Sequence, residues 1–458
     1  MTTQGNYSTV NHRGQQTLQN SSIHRTVLSN GMVVIAVENT AADIIAARIF
    51  VRAGGLWEAR SQAGISHLLA AVMTKGTARL SSLEIAEQVE SVGASLSTDS
   101  TTDYFLLSIK TVTADFVQIL ELAAELLTAP SFPSAEVELE RRLTLQGIRS
   151  QQEQPFSVAF DMLRQGMYCL HPYAFSSLGS EETVANLGRD DLCLFHQHHF
   201  RPDNMVISIA GNMPPQECIE LVEKVFGQWQ APNLPIVAPQ LPPVKVNPTV
   251  VRQAQETQQA IVMLGYLAPP VQFDSAHTAG ATAWHSSLPS DYAAMKLLNT
   301  YLGNGLSSRL FVELREKRGL AYDVSAFYPT RLEPAMFVVY IGTAPENAAI
   351  ALEGLRAEVE RLGTIELTPE ELLASKNKLL GQYALGKQTN SQIAQVLGWY
   401  ETLGLGIEFD SRFPAEISAI SAAIANEAAR RYFTEPYISI VGPASALQKT
   451  DALLPSSR

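Results

Sequence analysis

Six prolines between Ala231 and Val250 (Pro232, Pro235, Pro239, Pro242, Pro243 and Pro248) constrain this chain more than any other feature. Each removes a backbone donor and fixes φ, so the stretch is predicted to be an extended, semi-rigid linker rather than a helix or a central strand. It divides the 458 residues into nearly equal halves, and the halves read as copies of one another. The first closes with His199-Phe200-Arg201-Pro202-Asp203-Asn204 running into the apolar stretch Met205 to Gly211. The second closes with Arg430-Arg431-Tyr432-Phe433-Thr434-Glu435-Pro436 running into Tyr437 to Gly442. In both, an aromatic and a proline precede a short apolar strand that stops at glycine. Upstream of these lie two matching long helices, Ala135 to Gln152 and Thr368 to Gln388. A pattern that recurs over whole halves, longer than any solenoid repeat, predicts tandem homologous domains.

The expected organisation is a polar lead-in (1–22), an N-terminal domain (23–230), the linker (231–249), a C-terminal domain (250–442) and a short tail (443–458). Asn30-Gly31 is a hairpin signal between Arg25–Leu28 and Met32–Val37. Ile44 to Val51 reads as a further strand and Gly64 to Met73 as a helix, so each half mixes strands and helices in an α+β layered order. Pro269 to Pro289, rich in Ala, Ser and Thr, reads as an inserted surface loop, and His277 and His285 within it need no role. The formal charge of -12 opposes binding to nucleic acid or to an anionic membrane, and no basic stripe offsets it. The three cysteines, Cys169, Cys193 and Cys218, show neither a disulfide framework nor a thiolate zinc spacing. With no apolar run long enough to span a bilayer and no secretory signal in 1–22, the expected location is cytoplasmic, the bacterial cytosol or an equivalent reducing compartment.

Two segments carry chemistry. In Gly64-Ile65-Ser66-His67-Leu68-Leu69-Ala70-Ala71-Val72-Met73-Thr74-Lys75-Gly76-Thr77 the pattern is similar to the zinc-site helix of the pitrilysin, insulinase and mitochondrial-processing-peptidase family, G-x-x-H-x-x-E-H with a K-G-T-type ending. There, two histidines on one helix face bind zinc and the glutamate between them takes the proton of the attacking water. Here His67 keeps the first ligand position, Ala70 replaces the general base and Ala71 the second ligand. The family's third ligand, a distal glutamate, falls at Leu145-Gln146-Gly147-Ile148-Arg149, with Gly147 where the carboxylate belongs. A catalytic zinc needs three protein ligands and an open position, so this chain is expected to bind none. His67 is expected to be a helix residue hydrogen-bonded in or near the core.

The second segment runs from Leu306 to Tyr322. Leu306, Leu310, Phe311 and Leu314 are expected on one apolar helix face, Gly319 ends the helix, and Tyr322, Val324 and Ala326 share one face of a strand over Leu320–Phe327. Leu314-Arg315, Lys317, Leu320 and Tyr322 resemble the same family's C-terminal domain, where an arginine and a tyrosine seven residues apart face the zinc site. A guanidinium can hold peptide carbonyls and a phenol can donate to an oxyanion. By spacing alone, a surface arginine and a half-buried strand tyrosine are the better account of the pair; the resemblance of both halves turns the balance to the functional reading. His196, His198 and His199 match no zinc signature and are expected to complement a helix C-terminus.

The resemblance covers roughly Ile23 to Gly442. It implies two tandem α/β domains of the processing-peptidase, LuxS-like metallohydrolase fold, forming half of a clamshell. It further implies a non-catalytic subunit of a heterodimeric zinc metallopeptidase, inactive alone. Such a subunit would carry no cofactor and would contribute Arg315 and Tyr322 to a partner bearing the intact H-x-x-E-H and the zinc. Peptides are the implied substrates, basic ones if the chamber wall shares the chain's acidity. The rival reading is a pseudo-peptidase scaffold with no proteolytic duty, against which retention of both Arg315 and Tyr322 argues.

Overall fold

Gly31 adopts φ +90°, the left-handed backbone that the Asn30-Gly31 turn requires, and joins β1 (Ile23–Val27) to β2 (Val33–Glu38) as an antiparallel pair. The Asn30 side-chain amide donates to the carbonyls of Phe226 and Trp229 at 2.9 and 3.1 Å, fixing the turn against the end of the same half. A computed structural model describes residues 23–271 and 290–450. The lead-in, His277, His285 and most of the expected 269–289 loop lie outside these residues.

The first half continues with β3 (Ile44–Val51), α1 (Ile65–Val72), α2 (Ser82–Ser91), β4 (Ser95–Ser100), β5 (Phe105–Val112), α3 (Phe116–Thr128) and α4 (Ser134–Gln152). It closes with α5 (Pro155–Tyr168), α6 (Glu181–Asn186), α7 (Arg189–His199), β6 (Met205–Gly211) and α8 (Pro215–Phe226). In the second half come β7 (Val250–Ala254), β8 (Ala260–Ala268), α9 (Asp291–Gly303), β9 (Asp323–Phe327), β10 (Ala335–Thr343), α10 (Ala348–Thr364) and α11 (Pro369–Leu385). The chain ends in α12 (Asn390–Thr402), α13 (Phe409–Ala419), α14 (Ala422–Tyr432), β11 (Tyr437–Gly442) and α15 (Ala444–Thr450).

The duplication is visible in the sheets. Their orders are β1-β2-β6-β3-β5-β4 and β7-β11-β8-β10-β9. Removing β1 superimposes one order on the other, and the parallel pair falls in the same place, β2 with β6 and β7 with β11. The two apolar strands singled out by the repeat are β6 and β11, each buried along its length.

Each half lends a helix to the other's sheet. On β2, Val34 and Ala36 face the first half's own helices, whereas Val33, Ile35 and Val37 join a core that contains Ile393, Ala394 and Leu397 of α12. On β8, Val262 and Leu264 face the second half's helices, whereas Ile261 and Met263 pack with Ala159, Leu163 and Met167 of α5. Covering both faces explains why β2, β3, β6 and β8 read as continuous apolar runs instead of alternating ones. Gly398 in α12 and Gly265 in β8 permit the close approach: a Cβ at Gly398 would meet Phe50 Cε2 at 2.4 Å, and one at Gly265 the Met167 sulfur at 2.6 Å.

Polar contacts fasten the exchange. Arg25 grips Glu401 with two hydrogen bonds of 2.6 and 2.9 Å, and Asn390 donates to the Ile44 carbonyl at 2.8 Å. Asp103, in the β4–β5 connection, pairs with Arg331 of the β9–β10 connection at 3.2 Å and accepts from the Tyr173 hydroxyl at 2.9 Å.

Residues 231–249 contain no helix or strand. Arg201 of the repeated motif, paired with Asp203, donates to the linker carbonyls of Leu234 and Pro232 at 2.7 and 3.1 Å. Residues 444–450 of the expected tail form α15, which begins just after Pro443, where proline's missing N–H costs the helix nothing. Ala446 and Thr450 are fully buried there.

Candidate functional site

The helix that carries the first motif is α1, whose entry is set by Gly64 at φ +96°. Its N-terminal donors are satisfied by Glu58, whose carboxylate accepts from the backbone of Gly64 and Ser66 at 2.8 and 2.9 Å and from the Ser66 hydroxyl. Burial raises the Glu58 pKa, and these hydrogen bonds pull against it. A carboxylate at the positive end of an eight-residue helix stabilises it locally. Sequence reasoning passed over Glu58, although a carboxylate just ahead of a glycine-led helix is a recognisable capping signal.

Along α1, His67 is half-buried, Ala70 buried and Ala71 half-buried. The helix packs on α4, which carries Gly147. The His67 ring makes no hydrogen bond among the described residues, contrary to expectation. Burial lowers its pKa, against the charges of Asp99 and Glu140. Glu140 is engaged by Lys75 at 2.9 Å, and Thr98 of β4 donates to the Ala70 carbonyl at 2.8 Å. A Cβ on Gly147 would touch only Leu178, at 3.8 Å, so the position has room for a side chain and has none.

The donor set does not fit zinc. One imidazole, two methyl groups and a glycine occupy the positions where the resemblance places two histidines and two glutamates, and one imidazole cannot hold a three-ligand centre. Among the described residues no group of three His, Cys, Asp or Glu side chains is placed to hold a metal ion.

The second motif folds differently from its periodicity. Leu310 and Leu314 are fully buried, but Leu306 is 75% exposed in the turn after Gly303, and residues Phe311–Glu316 wind as a π-helix. Gly319 takes φ +63° and ends it, with its N–H donating to the Arg315 carbonyl at 3.1 Å. The strand begins only at Asp323. Val324 and Ala326 are buried as expected, whereas Tyr322 precedes the strand and is 61% exposed. Its backbone N–H donates to the Gly342 carbonyl at 2.8 Å, which anchors the residue beside β10 while the ring projects. Arg315 is exposed, its guanidinium 5.0 Å from the Phe311 ring centroid. Neither side chain makes a hydrogen bond or ion pair among the described residues. π-turns inside helices occur often at functional sites.

The histidines after Phe195 are core residues in part. His196 is buried, its Nε2 2.9 Å from the Leu127 carbonyl, and burial holds its pKa down to about 4. Burial likewise lowers His199, beside Trp57, to about 4. Both are therefore neutral near pH 7, and the expected complement to a helix C-terminus, which needs imidazolium, does not apply to them. His198 is exposed and 2.7 Å from the Leu194 carbonyl.

Residues 33–181 match the family described as insulinase (peptidase family M16), and residues 186–379 match the one described as peptidase M16 inactive domain. The chain is similar to the uncharacterized zinc protease YmxG of Bacillus subtilis, 27% identical over 430 residues, covering 92% of this chain and 98% of that protein. A second uncharacterized zinc protease, from Streptomyces coelicolor, is 25% identical over 437 residues, covering 92% and 90%. Among solved structures, a peptidase M16 inactive domain from Pseudomonas fluorescens superimposes with a TM-score of 0.82 at 22% identity, covering 92% of this chain and 98% of that one. A protease from Helicobacter pylori does so with a TM-score of 0.84 at 21% identity, covering 92% and 100%. The structural likeness speaks for the mixed α/β fold. A second half of the inactive type is consistent with a non-catalytic member. No helix among the described residues is long and apolar enough to cross a membrane.

Proposed function

The chain belongs to the M16 peptidase family, and from that premise we propose that it is the non-catalytic subunit of a heterodimeric zinc metallopeptidase. Its partner supplies the zinc, the H-x-x-E-H helix and the distal glutamate. This chain supplies Arg315, whose guanidinium can hold substrate carbonyls near the scissile bond, and Tyr322, whose phenol can donate to the oxyanion of the tetrahedral intermediate.

The observation that supports this most is a contrast between the halves. The α1–α4 frame of the first half persists with Ala70, Ala71 and Gly147 in place of donors. In the second half Arg315 and Tyr322 stand exposed and unengaged on a π-turn and the lead into β9. Among the described residues no hydrogen bond or ion pair uses the Arg315 charge, and its guanidinium lies over the Phe311 ring. A scaffold has no need of both groups.

Reconstitution tests the reading. The purified chain should hold no stoichiometric zinc and cleave no peptide, and cleavage should appear on mixing with a family member that carries the intact motif. Tightly bound zinc, or peptidase activity of the isolated chain abolished by a chelator, overturns it.

A further inference from the structure

A cavity of about 830 Å³ opens between the C-terminal end of α4, α5, α6 and the segment before α1. It adjoins the degenerate zinc-motif positions without including them. Ala63 and Ile148, the neighbours of Gly64 and Gly147, line one wall. Two guanidiniums reach it. Arg60 is exposed, lies 5.7 Å from the Phe175 ring centroid, and makes no hydrogen bond or ion pair among the described residues. Arg164 is largely enclosed, its side chain 13% exposed, with its face over Phe160 and one terminal nitrogen 2.6 Å from Asp161. Its Nε is buried and has no hydrogen-bond partner.

A guanidinium presents five donors in a fork that fits a carboxylate. Asp161 satisfies only one side of that fork. The carboxylates of the lining do not cancel the site: Asp161 is already committed to Arg164, and Glu182 is exposed. The remaining wall interleaves amides and hydroxyls, including those of Gln151 and Gln165, with apolar surface, which suits an extended peptide whose backbone needs partners and whose side chains need cover.

We propose that this cavity binds a peptide carboxylate, received by Arg60 and by the terminal nitrogen of Arg164 that Asp161 leaves free, with a few residues of extended backbone laid against the amides of the lining. The carboxylate belongs either to the C-terminus of the peptide or to an Asp or Glu side chain. The site lies in the first half, whereas Arg315 and Tyr322 lie in the second, so it would anchor substrate away from the bond that is cut. The proposal deepens the peptidase reading by naming a part of the substrate. It is measured on the chain alone, so peptide binding without partner-dependent cleavage, or the reverse, tells the two failures apart.

Isothermal titration calorimetry of the full chain with three hexapeptides provides the test. The acetylated Ala-Gly-Phe-Ala-Gly-Ala is used with a free C-terminus, with an amidated C-terminus, and amidated with Glu replacing Phe. Binding of the first that weakens at least tenfold on amidation identifies the terminus. Binding of the third at the strength of the first, or above it, identifies a side-chain carboxylate. Arg60→Gln, at an exposed position that leaves the core untouched, should weaken the carboxylate peptide at least fivefold. Gln165→Trp, which fills the cavity from an exposed position of α5, should do the same. Equal binding of the free-acid, amidated and Glu peptides, no binding of any, or wild-type affinity in both variants overturns the proposal.

Discussion

Replacing Gly398 by alanine separates helix propensity from helix exchange, because the two predict opposite signs. Gly398 lies inside α12, where an alanine normally stabilises a helix by about 1 kcal/mol. The same Cβ would stand 2.4 Å from Phe50 Cε2 and 2.9 Å from both Phe50 Cδ2 and Ser208 Cβ. Phe50 is fully buried in β3, and the edge contact with Tyr104, 5.2 Å between centroids, limits its retreat. Overpacking of this kind costs roughly 1–3 kcal/mol. Set against the propensity gain, Gly398→Ala should destabilise the chain by up to about 2 kcal/mol. In urea unfolding the midpoint should fall with little change in slope. Phe50→Leu should then soften the effect, and a double-mutant cycle should return a coupling of roughly 1 kcal/mol. A stabilising Gly398→Ala, or no coupling to Phe50, would show that α12 does not pack on the first half's sheet at this distance.

The remaining expectations concern polar groups in the core. Asp103→Ala strands Arg331 between the halves and should cost about 3–5 kcal/mol, whereas the double replacement Asp103→Leu with Arg331→Met should recover most of it; thermal unfolding of both variants checks this. His196 and His199 have folded pKa values near 4 against an ordinary 6.5. Between those values the unfolded chain binds protons that the folded chain refuses. Their contribution is thus complete above about pH 6.5 and is lost as pH falls toward 4, by about 3 kcal/mol per group at the acid end. Urea midpoints measured across that range should fall with acid, and His196→Gln should flatten the profile.

The sequence disclosed what is local and what repeats. The motif before Met205 and Tyr437 located the last strand of each sheet, because a proline and an aromatic at a helix exit precede a fully buried run in both. Which sheet a helix covers was not legible. Leu163 and Met167 of α5 and Ile393 and Leu397 of α12 show ordinary apolar periodicity, and periodicity does not say whether the surface it meets is its own or the other half's. The candidate site was legible at Ala70, Ala71 and Gly147, because residue type alone says that none carries a donor where the resemblance places a general base and two ligands. It was less legible at Tyr322, where an alternating pattern implied a buried face. The π-turn and the tight return through Gly319 shift the start of β9 to Asp323 and leave the ring exposed. Glu58 was legible as a capping carboxylate, its partners Gly64 and Ser66 lying six and eight residues on, whereas the Asp103–Arg331 pair was not, because loops whose course a sequence does not reveal bring the two together.

Whether this chain acts on a partner's substrate through Tyr322 is read most directly by turnover in the reconstituted pair. Wild-type chain and Tyr322→Phe are each mixed with the zinc-bearing subunit, and peptide turnover is followed at saturating substrate, with the extent of complex formation read by size-exclusion chromatography. Tyr322 is 61% exposed and its backbone N–H ties it to Gly342 of β10, so the variant should fold and associate as wild type does. Turnover falling by about 10²-fold with unchanged association is the expected result, the scale for removing an oxyanion donor. Turnover within twofold of wild type in an equally populated complex would contradict the claim.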